Sequence, residues 1–213
     1  MLAEVDFERR FGGLRRLHGE RGYARLRAGR IAVVGLGGVG SWSAEALARS
    51  GVAELCLIDL DHVAESNINR QVQALGVTLG QAKAEALRQR IADIHPGCLV
   101  HAVEEFVDES NWPGLLPAPV DVVIDACDQV RAKAALAAWS AATGTPLVSV
   151  GAAGGKQRAE RGRRVRRRRQ PELPRLRVQR DRHGHLRAGG GECRDRYFDE
   201  SAKPVAAFAK TTL

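Results

Sequence analysis

A glycine-rich turn that follows a short apolar run is the part of the sequence best suited to chemistry. The run Ile31 to Val34 has the composition of a strand buried on both faces. The glycines after it allow a tight turn, close approach of the backbone to phosphate oxygens, and contact between the strand and a helix predicted over 41–50. That helix would direct its N-terminal N–H groups and its dipole at an anion. We therefore predict a phosphate cradle built on Gly35, Gly37, Gly38 and Gly40.

A carboxylate follows at the spacing that a nucleotide ribose requires. A second strand is predicted over Glu54 to Ile58, and Asp59 comes 19 positions after Gly40, close to the separation of about 20 residues found in ribose-binding folds. Asp61 adds a second carboxylate at the same strand end. These features alone would also fit a nicotinamide-dependent oxidoreductase, which stays open as an alternative.

Two cations beyond this point favour a nucleoside triphosphate. The stretch 66–71, SNINRQ, carries amides, a hydroxyl and the guanidinium of Arg70, and Lys83 stands at the start of a helix predicted over 82–95. Backbone N–H groups largely suffice for a dinucleotide pyrophosphate, whereas a triphosphate with a departing pyrophosphate needs additional cations. Arg70 and Lys83 are therefore predicted to bind ATP phosphates, with solvated surface positions as the alternative.

A further carboxylate is predicted at the end of a third strand, 120–125. Asp128 follows it closely, at the carboxyl edge where open α/β sheets bind ligands. It could hold Mg²⁺ against the phosphates, or it could simply cap the helix predicted over 131–142. The neighbouring Cys127 is predicted to be a buried structural cysteine.

These elements together predict an α/β fold with a Rossmann-like, mostly parallel sheet and helices on both faces. We expect residues 1–155 to form an ATP-binding domain that includes N-terminal helices. Residues 156–213 are expected to be a separate region, irregular or disordered.

Several strings resemble one known family. RxFGG, GLGGVGSW, LIDLDHV, SNINRQVQALG, GQAKAE and VIDACDQVRAKAAL, spread from about Arg9 to Lys156, are similar to the ubiquitin-activating-enzyme-like adenylating superfamily. Within it they most resemble the bacterial tRNA threonylcarbamoyladenosine dehydratases. The resemblance implies ATP-dependent cyclisation of threonylcarbamoyladenosine in tRNA through an acyl-adenylate, with a homodimeric enzyme and a possible sulfur-transfer or redox protein as partner.

The resemblance also implies roles for individual residues. Gly38 would contact phosphate, Asp59 the ribose, and Asn67, Arg70 and Lys83 the phosphates. Asp128 would hold Mg²⁺. Arg10 would correspond to an arginine supplied by the partner subunit, although it could equally be a surface arginine of the N-terminus. Related enzymes that activate a ubiquitin-like or sulfur-carrier protein remain an alternative.

Composition bounds these expectations. The chain has 213 residues, enough for one well-packed core, and four cysteines without CxxC spacing, so we expect no structural zinc site of the carrier-activating type. No apolar stretch of about twenty residues occurs, which predicts no membrane span. The charged N-terminus lacks a signal-peptide core, and the cysteine pattern fits a reducing cytoplasm.

The net charge of +8 is concentrated in one segment. Residues 156–187 carry fourteen Lys and Arg against three Asp and Glu, so the rest of the chain is slightly acidic. Three interpretations stay open: a basic arm that binds tRNA phosphates, a tail without function, or a disturbed reading frame beginning between about Lys156 and Arg166. Because the family's C-terminal half is not matched here, we also expect weak or absent dehydratase activity from this chain.

Overall fold

The computed structural model describes residues 5–151, 176–180 and 186–190. Helices and strands alternate through the first of these ranges. The helices are α1 (Phe7–Phe11), α2 (Arg15–Ala28), α3 (Gly40–Arg49), α4 (Lys83–Ile94) and α5 (Val130–Thr143). The strands are β1 (Arg30–Val34), β2 (Glu54–Ile58), β3 (Leu99–Val103), β4 (Val122–Asp125) and β5 (Leu147–Ser149). Short 3₁₀ turns span Gly12–Leu14, Glu65–Asn67 and Gly76–Thr78.

The five strands form one parallel sheet in the order β3-β2-β1-β4-β5. Strand order reverses direction between β1 and β4, so a crevice opens beyond their carboxyl ends. The glycine turn after β1, the residues after β2 and the loop after β4 all lie at that edge. The predicted Rossmann-like α/β fold is therefore confirmed. The predicted phosphate cradle lies at the carboxyl edge of the sheet, where the strand order reverses.

Alternate residues of β1 face opposite sides of the sheet, as the pleat requires. Ile31 and Val33 pack in a buried cluster with α3 and α4, whereas Ala32 and Val34 pack in a second cluster with α5 and Trp112. Helices α3 and α4 thus cover one apolar face of the sheet, and α5 covers the other. Burial on both faces explains why the central strands are apolar throughout rather than alternating.

The N-terminal helices are attached at the C-terminal end of α4. The rings of Phe7 and Phe11 lie 5.3 and 4.6 Å from the ring of His95. The guanidinium of Arg27, from α2, stands 4.9 Å over the Phe11 ring. This aromatic cluster fixes α1 on the body of the domain by contacts that the sequence pattern did not reveal.

The tail contains two further strands, β6 (Leu176–Arg180) and β7 (Leu186–Gly190), paired antiparallel in a compact unit of their own. The sequence analysis had predicted no regular element there, and the structure describes these ten residues as strands. The remainder of the predicted basic tail lies outside the described residues. Among the helices that the structure describes, none combines the length and apolarity needed to cross a membrane.

Candidate functional site

The glycine turn is compact because two of its glycines leave no room for a side chain. Gly35 adopts φ +86°, and a Cβ there would stand 2.7 Å from the backbone nitrogen of Cys127. A Cβ at Gly40 would overlap the carbonyl oxygen of Gly35. Gly37 is open, with no atom within 4 Å of a Cβ position. The turn is therefore closed on its protein side and open at Gly37, as a phosphate cradle should be.

Asp59 fixes the turn from the neighbouring strand. Its Oδ2 accepts the N–H of Leu36 at 2.6 Å, and its Oδ1 accepts the N–H of Asp61 at 2.9 Å. The predicted ribose carboxylate is thus oriented at the carboxyl end of β2 beside the glycine turn. Its remaining lone pairs are the acceptors available to ribose hydroxyls.

Lys83 and Asp61 form an ion pair beside this carboxylate. Lys83 Nζ lies 2.7 Å from Asp61 Oδ2, and its backbone N–H donates to the Asp61 carbonyl at 3.0 Å. Only 5 % of Lys83 is exposed. Asp61 was predicted to be a nucleotide ligand. In the structure its carboxylate is the ion-pair partner that orients the Lys83 ammonium.

Arg70 lies across the glycine turn. Its side-chain carbons would be 3.3 Å from a Cβ at Gly38. Its guanidinium donates to the carbonyl of Ser66 and to Oδ1 of Asn69 at 2.7 and 3.0 Å. The structure thus brings together Arg70 and Gly38, both predicted to contact phosphate. The Arg70 guanidinium is hydrogen-bonded within its own turn.

Asn67 has a structural contact that the sequence did not indicate. Its Oδ1 accepts the N–H of Ala64 at 3.0 Å, and the residue is buried. Only its Nδ2 amide, a donor, is left for a phosphate oxygen. The predicted role of Asn67 as a phosphate ligand stays a prediction.

The segment that carries Arg70 is joined to the glycine turn and to α3 by three hydrogen bonds, which we call the arm seam. Trp42 Nε1 donates to the Arg70 carbonyl at 3.0 Å, and Val72 N–H donates to Ser41 Oγ at 3.3 Å. Gln73 Nε2 donates to the Leu36 carbonyl at 2.9 Å. The sequence had not indicated any of these three donors, although all three belong to the motifs GLGGVGSW and SNINRQVQALG.

The predicted metal ligand, Asp128, is exposed in the loop after β4 and has no hydrogen-bond partner among the described residues. The alternative of a helix cap finds no support, because Gln129 is the N-cap of α5 and makes no side-chain cap bond. Beneath the loop, the fully buried Asp125 is paired with Lys133 at 2.9 Å and accepts from Ser149 at 2.5 Å. This buried pair, also missed, ties β4 to α5 and β5.

Cys127 is not an activated nucleophile. Burial, followed by its hydrogen bond to Asp125, raises the pKa of the thiol to about 12. The thiol is therefore protonated at neutral pH, although Cys127 is only partly buried and not fully buried as predicted.

Arg10 is placed apart from the other predicted residues of its own chain. Its guanidinium donates to the Ile94 carbonyl at 2.6 Å, at the C-terminal end of α4, where it borders a cavity of about 370 Å³. Lys83 begins the same helix, which has twelve residues and is therefore about 18 Å long. Within one chain, Arg10 and Lys83 thus lie at opposite ends of α4.

The site offers cations for phosphates and, in the exposed Asp128, a carboxylate for a metal. Within residues 5–151 and the two tail strands, no group of three or more His, Cys, Asp and Glu is assembled for a metal ion. Mg²⁺ is nevertheless commonly bound by one or two carboxylates together with substrate phosphates. The unpaired Asp128 at the edge of the crevice fits that pattern.

Comparison with known proteins agrees with this geometry. The sequence profile of the ThiF family matches residues 8–160. The tRNA threonylcarbamoyladenosine dehydratase of Haemophilus influenzae is 43% identical over 157 residues, which are 73% of this chain and 60% of that protein. The Escherichia coli protein of the same name is 47% identical over 150 residues, 70% of this chain and 56% of its own length. The chain therefore spans somewhat more than half the length of these relatives.

Solved structures give the same result. The crystal structure of E. coli tRNA N6-threonylcarbamoyladenosine dehydratase in complex with ATP matches with a TM-score of 0.71 and 44% identity, covering 75% of this chain and 66% of that one. The complex of the same enzyme with AMP matches equally, at a TM-score of 0.71 and 44% identity over 75% and 65% of the two chains. The resemblance inferred from the motifs is confirmed.

Proposed function

The chain belongs to the ThiF family, and from that premise we propose that it uses ATP to activate the carboxylate of threonylcarbamoyladenosine in tRNA and so promotes its cyclisation. The observation that carries the proposal is the convergence of Asp59, Arg70 and the Lys83–Asp61 pair on one glycine turn. Relatives that are 43% and 47% identical over aligned stretches of 157 and 150 residues are named for that reaction.

ATP would be held in two parts. The ribose would bind Asp59, and the α-phosphate would lie over the turn that begins at Gly35, against free N–H groups. Arg70 and Lys83 would contact the β- and γ-phosphates. This division assigns the nucleoside to the β2 end and the leaving group to the two cations.

In the first step, a carboxylate oxygen of the threonyl group attacks the α-phosphorus, the bond to the β-phosphate oxygen breaks, and pyrophosphate leaves. The nucleophile is already ionised, so no general base is required. Catalysis then depends on alignment and on neutralisation of the charge that builds on the leaving group. Arg70 and Lys83 supply that neutralisation.

In the second step, a nitrogen or oxygen of the same modified side chain attacks the activated carbonyl carbon. AMP leaves, a proton passes to solvent, and the ring closes with net loss of water. Asp128 would hold Mg²⁺, which, when bound, shields the charge of the phosphates.

We propose further that two copies act together, because Arg10 stands at the far end of α4 from Lys83 in its own chain. Arg10 could then serve a neighbouring copy, as the family resemblance implies. Closed two-fold dimers are the commonest homo-oligomers. Measurement of molar mass in solution, together with subunit mixing of Arg10→Ala and Arg70→Ala chains, tests this: only a shared site would regain activity in the mixture.

The basic segment 156–187 is proposed to contact the tRNA backbone. If it does, tRNA binding should weaken steeply with salt, and replacing the four arginines 166–169 by glutamine should reduce that dependence. ATP affinity should not change. The rival interpretation, a disturbed reading frame, is tested by sequencing the locus.

A second function deserves a parallel test, because a molybdopterin-synthase adenylyltransferase of E. coli is 37% identical over 128 residues, 60% of this chain and 51% of that protein. Such an enzyme would exchange pyrophosphate in response to a carrier protein with a C-terminal glycine. Comparing exchange stimulated by tRNA with exchange stimulated by a carrier protein distinguishes the two. A nicotinamide-dependent enzyme would instead bind NAD and would not bind ATP.

A further inference from the structure

Trp42 is an unusual residue for its position. It lies in the first turn of α3, and 45% of it is exposed. It belongs to none of the buried clusters of the domain. A large aromatic side chain left half in water contributes little core packing, so packing alone does not provide an explanation of its role.

The hydrogen bond of Trp42 supplies that explanation. The indole Nε1 donates to the carbonyl oxygen of Arg70 at 3.0 Å, and indole has no other polar group. The bond joins the start of α3, where the phosphate cradle ends, to the residue that carries the guanidinium. It is the first bond of the arm seam.

The other two bonds of the arm seam also fix the backbone near Arg70. Val72 and Gln73 donate to Ser41 Oγ and to the Leu36 carbonyl at 3.3 and 2.9 Å. Ser41 and Gln73 are both buried, so these two bonds are shielded from water. The backbone around Arg70 is thus fixed by the exposed indole at its own carbonyl and by two buried bonds from residues just after it in the chain.

The Arg70 side chain itself has less support. It is exposed, and its carbons rest on Gly38. Within the described part of the chain, its guanidinium is bonded only to acceptors of its own turn, Ser66 and Asn69. Where this side chain can reach is therefore set by where its backbone is fixed. An arginine held in advance loses less conformational entropy on binding a phosphate.

We propose that Trp42 is a positioning residue for the triphosphate: through its bond to the Arg70 carbonyl, it holds Arg70 beside the cradle, where the guanidinium would contact the β- and γ-phosphates. The inference rests on the proposed function and adds a residue to it. It also predicts a difference between the two nucleotides, because AMP has no β- or γ-phosphate. Loss of the bond should weaken ATP binding and leave AMP binding unchanged.

The test is the Trp42→Phe variant of the full chain, titrated by calorimetry with ATP and Mg²⁺ and separately with AMP. Phenylalanine keeps an aromatic ring and removes the donor. The dissociation constant for ATP should rise about fivefold, the effect of one ordinary hydrogen bond, and that for AMP should stay within about twofold. Trp139→Phe, the same replacement on α5 in contact with Trp112, is the matched control and should change neither constant.

A double-mutant cycle separates positioning from general stability. In an Arg70→Ala background, Trp42→Phe should cause no further loss of ATP affinity, because it acts only through Arg70. Gln73→Met, which removes another seam donor, gives an independent check: its ATP affinity should fall more than its AMP affinity.

The outcomes are distinct. Equal weakening of ATP and AMP by Trp42→Phe, full additivity with Arg70→Ala, or no change at all would overturn the positioning role. If the wild-type chain fails to bind ATP, the proposed function fails instead, before any variant is considered.

Discussion

The Nζ atom of Lys83 lies 2.7 Å from Oδ2 of Asp61, and the lysine is almost fully buried whereas the aspartate is open to solvent. The ammonium is therefore fixed by a carboxylate that bulk water can still reach. A triphosphate approaching from the crevice would meet a cation already held in place. Preorganised charge of this kind stabilises a developing negative charge without reorganisation during the reaction.

Replacing Lys83 by methionine should reduce the rate of pyrophosphate exchange about 100-fold, the usual effect of removing one preorganised stabilising group. Asp61→Asn should have a smaller effect, about tenfold, because the ammonium remains but loses its partner. Arg88→Met, on the exposed side of the same helix, is the matched control and should leave the rate unchanged. Normal exchange by Lys83→Met would remove the lysine from the mechanism.

Asp59→Asn should weaken ATP and AMP equally, about tenfold, because the ribose assigned to Asp59 is present in both nucleotides and Asp59 also accepts the Leu36 N–H. Asp121→Asn is the matched control: Asp121 accepts the Arg30 N–H at 2.8 Å, at the other end of β1. It should affect stability alone. A loss confined to ATP in the Asp59 variant would contradict the ribose assignment.

Gly40→Ala should destabilise the domain by about 3 kcal/mol or more, since the new methyl group would overlap the Gly35 carbonyl and the turn has no space to relax. Gly76→Ala, where nothing lies within 4 Å of the Cβ position, should be nearly neutral. Urea unfolding followed by circular dichroism measures both. Equal stability of the two variants would show that the turn is not close-packed.

His95 should make the attachment of the N-terminal helices sensitive to pH. Burial, followed by the nearby charge of Arg27, lowers the pKa of His95 below its ordinary value of 6.5. Its Nε2 lies 3.1 Å from Nη1 of Arg27, so it accepts there as the neutral ring, and protonation would place two donors against each other.

The sign of the effect follows from linkage. Because the folded state disfavours the protonated ring, the stabilisation is complete above pH 6.5 and is lost as the pH falls through the lower folded pKa, at no more than about 1.4 kcal/mol per pH unit. Unfolding curves at pH 7.5, 6.5 and 5.5 should show this decline in wild type and a flatter profile in His95→Gln. A decline of the same size in both proteins would assign it to other groups.

Much of the fold could be predicted because its strands are short, apolar and separated by glycine turns. Buried parallel strands and glycines with no room for a side chain leave a direct trace in sequence, and Glu54–Ile58 was predicted to the residue. Strand Leu99–Val103, at the sheet edge, was missed because His101 interrupts its short apolar run. The tail hairpin was missed because its short alternating runs lie within an arginine-rich, proline-containing stretch whose overall composition predicted no regular element.

The site was predictable to a similar extent. Asp59 was singled out by its spacing from Gly40, and Arg70 and Lys83 as the additional cations that a triphosphate needs; the binding roles of all three stay predictions. The arm seam and the Asp125–Lys133 pair could not be found, because they join residues far apart in the chain through donors that no local pattern marks. The opposite placement of Arg10 depends likewise on tertiary contacts, and its role across two copies stays a prediction.

The most direct test of the proposed function is exchange of labelled pyrophosphate into ATP by the purified chain, with and without tRNA that carries threonylcarbamoyladenosine. We predict exchange that depends on this tRNA, is absent with unmodified tRNA, and falls about 100-fold in Arg70→Ala. Exchange that responds to a carrier protein but not to tRNA, or a chain that binds NAD and no ATP, would contradict the proposal.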